Sequence, residues 1–330
     1  MGLFLRGGLA AALCILLTPA AAAQANITLR YGQIANSAHS ISSVPLSVAR
    51  RKGFLDREGI DLEVLGLGGA RHQVDDLDHG KVDVTHTATP YLIQAVRDGS
   101  DAVAVVGGPA NTIYSLIAKP EIRNFADLSG RVVAMSLPVD TISIATRMLL
   151  ERHGLKEPAF HTKELAGTPA RADCLSKGEC DAAPLGQPDD IIFAQKGYHK
   201  LGDSLEVIPV LQFNVIAARR SWAQANRDVV LRLARAFGAA YRFMRDPANR
   251  SEMARITAET TGATLEVARA MLDFYYEPDR GVMPKQAEID MAGLNAVIEL
   301  LGRTGGLAPP LPSAERFVDL QYLRAAGLQQ

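Results

Sequence analysis

From Ile27 onward the hydrophobic positions switch repeatedly between two periods, and the switching is the main structural signal in the chain. Ile27–Tyr31 and Ile60–Leu65 alternate apolar with polar residues, as half-buried strands do. Val44–Lys52 between them carries apolar residues at helical spacing and stops at Gly53. The same grammar predicts helices over 70–79 and 91–97, with strands over 82–84 and 102–106. A second stretch repeats it. Strands are expected at Tyr114–Ala118, Val132–Ser136, Asp181–Leu185, Val207–Leu211 and Val215–Ala218. Helices are expected at Thr141–His153, from Thr168-Pro169, and at Asp189–Gln195. Strands spaced by helices imply mainly parallel sheets with helices on their faces.

After Trp222 the strand pattern ends. Helical periodicity runs through Arg227–Arg245, Ala248–Thr260, Leu265–Tyr275 and Gln286–Leu301, and a short helix is expected at Ala314–Leu323. A helical tail behind two α/β stretches suggests that it packs back on the first. The expected organisation is therefore a first lobe from 26–111 and 222–330, with a second lobe, 112–221, inserted into it.

The first 25 residues change the picture of where the protein works. One basic residue, Arg6, precedes an apolar run from Gly7 to Leu17, then Thr18-Pro19 and a string of alanines. That is the layout of a secretory signal peptide, cut near Ala23 or Ala25. The run is too short for a membrane span, which takes about 20 residues. Leu13-Cys14 is a poor context for lipid attachment, so a periplasmic protein without an anchor is expected. The roughly 300 residues that follow exceed what one core usually serves, which favours two lobes.

Composition removes several classes. The net charge is −1 and no dense Lys/Arg run exists beyond Arg50-Arg51-Lys52, so a nucleic-acid binder is not indicated. A single tryptophan, Trp222, argues against a carbohydrate platform of stacked indoles. Cys174 and Cys180 are close enough in sequence for a disulfide, and equally admit two free thiols. Neither has a metal-ligand partner at suitable spacing, and no metal or cofactor is expected.

Several phrases together resemble a known family: "PLSVARRKGFLDREGIDLEVL", "GKVDVTHTATP", "NFADLSGRVVAMS", "RMLLERHGL" and "KGECDAAPLGQP". The chain resembles the periplasmic substrate-binding proteins of ABC importers, in the branch for nitrate, sulfonates, taurine and pyrimidine precursors. The resemblance implies an α/β fold of two lobes (type II), joined by two hinge strands, with the ligand in the cleft between them. It also implies a small-molecule ligand and an inner-membrane ABC permease as partners. A monomer is expected. The resemblance does not fix the ligand.

Ligands of open α/β lobes sit beyond the carboxyl ends of strands, near helix N-termini. Three such places stand out: the loop Asn36, Ser37, His39 leading to Ser42; Thr87 and Thr89 after the strand at 82–84; and Asp140 with Thr141. Ser, Thr and Asp at these places also serve as ordinary helix caps. Asp140 would repel a bare anion at its helix start. It admits a ligand bearing an N–H or O–H donor beside any acid group. His86 shares a strand face with Val84 and reads as a packed histidine. Asn111 falls at the first crossing between lobes, as a contact or a hinge residue, and Gln187 and Phe213 follow strands of the second lobe. The expected function is capture of a small, polar, acid-bearing organic solute for an importer. The alternatives are a periplasmic sensor, or a pyrimidine-precursor synthase of the same fold that uses lysine-bound pyridoxal phosphate and a cysteine-rich motif. No cysteine cluster, Gly-x-Ser-x-Gly elbow, His-Glu-x-x-His or Walker loop occurs, so an enzyme is not expected.

Overall fold

A computed structural model describes residues 26–35, 38–69, 72–111, 113–276 and 282–330. The expected signal peptide, with its cleavage site, lies outside the described residues.

The first lobe begins with β1 (Ile27–Ile34), α1 (Val44–Arg51), α2 (Phe54–Arg57) and β2 (Ile60–Leu67). It continues through α3 (His72–Asp78), β3 (Val84–Ala88), α4 (Thr89–Arg97) and β4 (Ala102–Gly107). In β2 the alternation is realised directly: Ile60 and Leu62 are buried while Asp61 and Glu63 are exposed. β4 is apolar throughout and buried at every position.

The second lobe holds β5 (Ser115–Ala118), β6 (Val132–Met135), α5 (Thr141–Arg152), β7 (His161–Glu164), α6 (Thr168–Ser176), β8 (Ala182–Leu185), α7 (Asp189–Gln195) and β9 (His199–Asp203). The chain then returns as β10 (Asn214–Arg219). It ends with α8 (Arg220–Ala225), α9 (Arg227–Arg245), α10 (Arg250–Thr261), α11 (Leu265–Tyr275), α12 (Met291–Arg303) and α13 (Gln321–Ala325). The tail packs on the first lobe, with α9 against α1, α2 and β4, and α12 against α4.

Two five-stranded sheets result, in the orders β2-β1-β3-β10-β4 and β7-β6-β8-β5-β9. Both are mixed rather than mainly parallel. β10 runs antiparallel to β3 and β4, and β5 antiparallel to β8 and β9. The crossings explain this: β5 follows the outward passage and β10 the return, so each enters its sheet against the parallel strands. Because β10 belongs to the first sheet, the second lobe does not extend to 221. The return crossing falls at 212–213.

The expected strand at Val207–Leu211 does not form. That segment lies beside the outward crossing, where the Asn111 side-chain amide donates to Ile208 O (3.2 Å) and Pro209 O (2.9 Å). Phe213 N–H donates to Ala110 O at 3.0 Å and Asn214 N–H to Pro109 O at 3.1 Å. Backbone demand is thus met between crossings instead of within a sheet. Among the described residues no helix is long and apolar enough to cross a membrane.

Candidate functional site

A cavity of about 440 Å³ opens between the lobes. Its first-lobe walls are the loop after β1, the inner face of β3, and the near ends of α3 and α4. Its second-lobe walls are the turns entering α5, α6 and α7. The return crossing contributes Phe213, the start of β10 contributes Asn214, and the tail adds the turn after α10 together with Tyr275. The volume lies within the range of small-molecule sites, roughly 300–1,000 Å³.

Asp140 is the best-connected acid in the walls. It caps α5, accepting from Ile142 N–H at 3.1 Å, and it also accepts from Ser136 Oγ at 2.8 Å. Tyr91 of α4 walls the same cavity from the other lobe, and its hydroxyl helps to hold the Asp140 pKa down. Burial pushes the Asp140 pKa above the ordinary carboxylate value, while these donors and Arg171 pull the other way. Asp140 is therefore both cap and cavity wall.

Arg171 projects from the second turn's edge of α6 and is fully buried. Its guanidinium donates to Pro184 O (2.8 Å), Leu165 O (3.1 Å) and Thr168 Oγ1 (3.3 Å). The group also lies 5.7 Å from the centre of the Tyr114 ring. Burial lowers its pKa from the usual arginine value, opposed by Tyr114 and Asp140. Asp189, at the first turn of α7, adds a second carboxylate, its pKa raised by burial and moderated by Lys196 and Arg171. His86 of β3 faces the cavity, and burial lowers its pKa to about 4, so its imidazole is neutral at neutral pH.

Two glutamines complete the polar wall. Gln73 of α3 and Gln187 after β8 are 1% and 4% exposed. Gln73 Nε2 donates to His86 O at 2.6 Å, which leaves Oε1 without a partner. Gln187 Oε1 is likewise buried and unpaired. Tyr91, Tyr114, Phe213 and Tyr275 supply the apolar surface, with Tyr114 and Phe213 packed edge to face at 6.5 Å.

The structure brings His39, Ser42, Asp140, Gln187 and Phe213 together around this cavity. His39 is also tied by Nδ1 to Thr260 O at 3.2 Å. Asn36 and Ser37 lie outside the described residues. Thr87, Thr89, Thr141 and Asn111 are not in the walls. Thr87 alternates with His86 and Ala88 along β3, and it is those two that meet the cavity, which corrects the reading of His86 as a packed core residue. Thr89 Oγ1 is taken up by Gln212 O at 2.6 Å, fastening α4 to the return crossing. Thr141 is buried behind the Asp140 cap. Asn111 instead ties the outward crossing to Ile208 and Pro209. Cys174 and Cys180 are free, buried thiols in one hydrophobic cluster of the second lobe, away from the cavity.

Sequence reasoning missed Arg171, Gln73, Tyr91, Tyr114, Asp189 and Tyr275. For Arg171 a signal existed: it sits three residues after the helix-opening Thr168-Pro169, where its side chain leans back over the N-terminal turn.

Comparison with known proteins places the fold. Residues 40–250, more than half of the chain, match the family described as NMT1/THI5 like, and the chain belongs to that family. YtlA of Bacillus subtilis (strain 168), provisionally named a binding protein, is 22% identical over 284 residues, covering 82% of this chain and 84% of that one. The periplasmic nitrate-binding protein NrtA from Synechocystis PCC 6803 superposes with a TM-score of 0.74 at 18% identity, over 92% of this chain and 88% of its own. The periplasmic aliphatic sulphonate binding protein SsuA from Escherichia coli gives 0.67 at 20%, over 88% and 92%. The fold also houses chemistry: the desulfurization enzyme DSZB gives 0.66 at 16%, over 91% and 98%.

Proposed function

We propose that this NMT1/THI5-like protein is the periplasmic solute-binding subunit of an ABC importer. It captures a small polar organic solute between its lobes and delivers it to a permease in the inner membrane. The observation that carries the reading is a single cavity walled by both lobes, with polar groups of each lobe converging on one space. Tyr91 of the first lobe and Asp140 of the second both wall that space. The likeness to binding proteins for nitrate and sulphonate supports the same reading at the level of fold.

The rival reading is an enzyme of this fold. Schiff-base chemistry needs a lysine and thiol chemistry a cysteine. Among the described residues that wall the cavity there is neither. A binding role fits this wall better.

The test is a thermal-shift screen of nitrate, sulfonates, carboxylates and nitrogen heterocycles on the purified mature protein. Uptake of the best solute into vesicles carrying the cognate permease follows. A true solute at 100 times its dissociation constant should stabilise the protein by about 2.7 kcal/mol. Uptake should depend on the binding protein. Turnover of the solute by the protein alone would favour the enzyme, and binding without any uptake would favour a sensor.

A further inference from the structure

We infer that the cavity selects an organic solute bearing hydrogen-bond donors, with an amine, amidine or amide head, and turns away bare inorganic anions. The inference rests on the solute-binding reading and deepens it.

The starts of α4, α5 and α7, which could hold an anion, are already occupied by the chain itself; the start of α6 has no side-chain cap. The N-terminus of α5 is capped by the Asp140 carboxylate. The first turn of α7 carries Asp189 and Asp190. At the start of α4, Thr89 N–H donates to Phe213 O at 2.9 Å and its hydroxyl to Gln212 O. Arg171 is the one arginine in the described wall, and three of its donors end on Pro184 O, Leu165 O and Thr168 Oγ1. Against its single charge stand two wall carboxylates, Asp140 and Asp189. An acceptor-only anion would meet more like charge than opposite charge.

The unmet needs of the wall point the same way. Gln73 Oε1 and Gln187 Oε1, one from each lobe, are buried acceptors without partners. The Gln73 amide is fixed in that sense, because turning it over would set oxygen against His86 O. Gln187 makes no side-chain hydrogen bond to a described residue, so its amide can offer either its oxygen or its NH2 to a solute, and the preference for donors rests on Gln73 and Asp140. Buried acceptors left unpaired are costly, and N–H groups on a solute would satisfy them and the Asp140 carboxylate together. A flat apolar body suits the remaining wall of Tyr91, Tyr114, Phe213 and Tyr275.

Ring-matched probes test this directly. Benzamidine and cytosine carry donors; benzenesulfonate and nitrate carry acceptors only. The expected result is that a donor-bearing probe raises the melting temperature and the two anions do not. Stabilisation by the anions alone overturns the inference and leaves the solute-binding reading standing. No stabilisation by either set removes both. Two variants then localise the effect. Asp140→Asn keeps a good helix cap, and it should weaken the donor-bearing probe at least tenfold by calorimetry. Gln187→Met should weaken the same probe several-fold without lowering the melting temperature of the empty protein. Affinity unchanged or tighter in both variants overturns the assignment.

Discussion

Asp190 shows how one side chain near the site sets a pH dependence. It is buried at the start of α7 and accepts from Ser115 Oγ (2.8 Å) and from Ile191 N–H (2.8 Å). Burial outweighs these bonds and raises its pKa from 3.8 to about 6. A carboxyl that is a weaker acid in the folded state stabilises the fold when protonated. That contribution is complete below pH 3.8 and is lost as pH rises through 6. The interval corresponds to a contribution on the order of 3 kcal/mol. Asp190→Asn should therefore be more stable than the parent at pH 7.5 by about 1–3 kcal/mol, and the gap should close by pH 4. Denaturant titrations at the two pH values check this; a gap independent of pH would show that burial of the charge is not the cause. At this scale the sequence was legible in parity and silent on direction. The alternation that separates His86 from Thr87 is plain in the chain, yet both faces of β3 are covered, one by packed structure and one by the cavity. Periodicity cannot say which is which. Arg171 and Gln73 were hidden for a related reason: a polar residue on a helix reads as solvent-facing until the partner lobe is in place.

At the scale of elements, long periodic segments were legible and short edge strands were not. β7 reads His161-Thr162-Lys163-Glu164 and has no buried residue, so it offers no hydrophobic alternation to detect. β9 buries only Gly202. Val207–Leu211 failed in the opposite sense: its apolar character serves the hinge and the neighbouring tail. Gly293 of α12 shows how tightly that tail is seated. A Cβ at this position would lie 2.4 Å from the carbonyl carbon of Leu211 and 2.5 Å from the backbone nitrogen of Gln212. The next contact is specific as well, since Asp290 N–H donates to Gln212 Oε1 at 2.7 Å. Glycine to alanine inside a helix ordinarily stabilises, by about 0.5–1 kcal/mol. Here the backbone of the return crossing blocks the methyl, so Gly293→Ala should destabilise by about 1–3 kcal/mol. Urea denaturation gives the sign at once. A stabilised variant would mean that α12 and the crossing are not in contact.

At the scale of the molecule, each sheet has its own core, and the larger core reaches across to Ile144 and Ala145 of α5. The second sheet carries its own hydrophobic clusters, one built around Leu116, Val133 and Leu150 and the other around Ile117, Ala134 and Ala183. The first sheet and the helical tail share a larger one. Between the sheets run two crossings, pinned to each other by Asn111 and by the Phe213–Ala110 and Asn214–Pro109 bonds. Lobes joined in this way are expected to move relative to each other unless a large apolar interface locks them. Beside the apolar contact of α5 lies the cavity, with Tyr91 and Asp140 on its opposite walls. A solute that satisfies acceptors on both walls binds the closed arrangement better than the open one, and the population shifts only as far as that difference allows. Small-angle scattering should accordingly show a smaller radius of gyration when the best-binding probe is saturating. Tyr91→Phe, which removes a hydroxyl from the first-lobe wall but keeps the ring, should retain solute-induced compaction. Scattering that does not change with saturating solute would mean that the cavity is rigid and that binding is read out by something other than lobe closure.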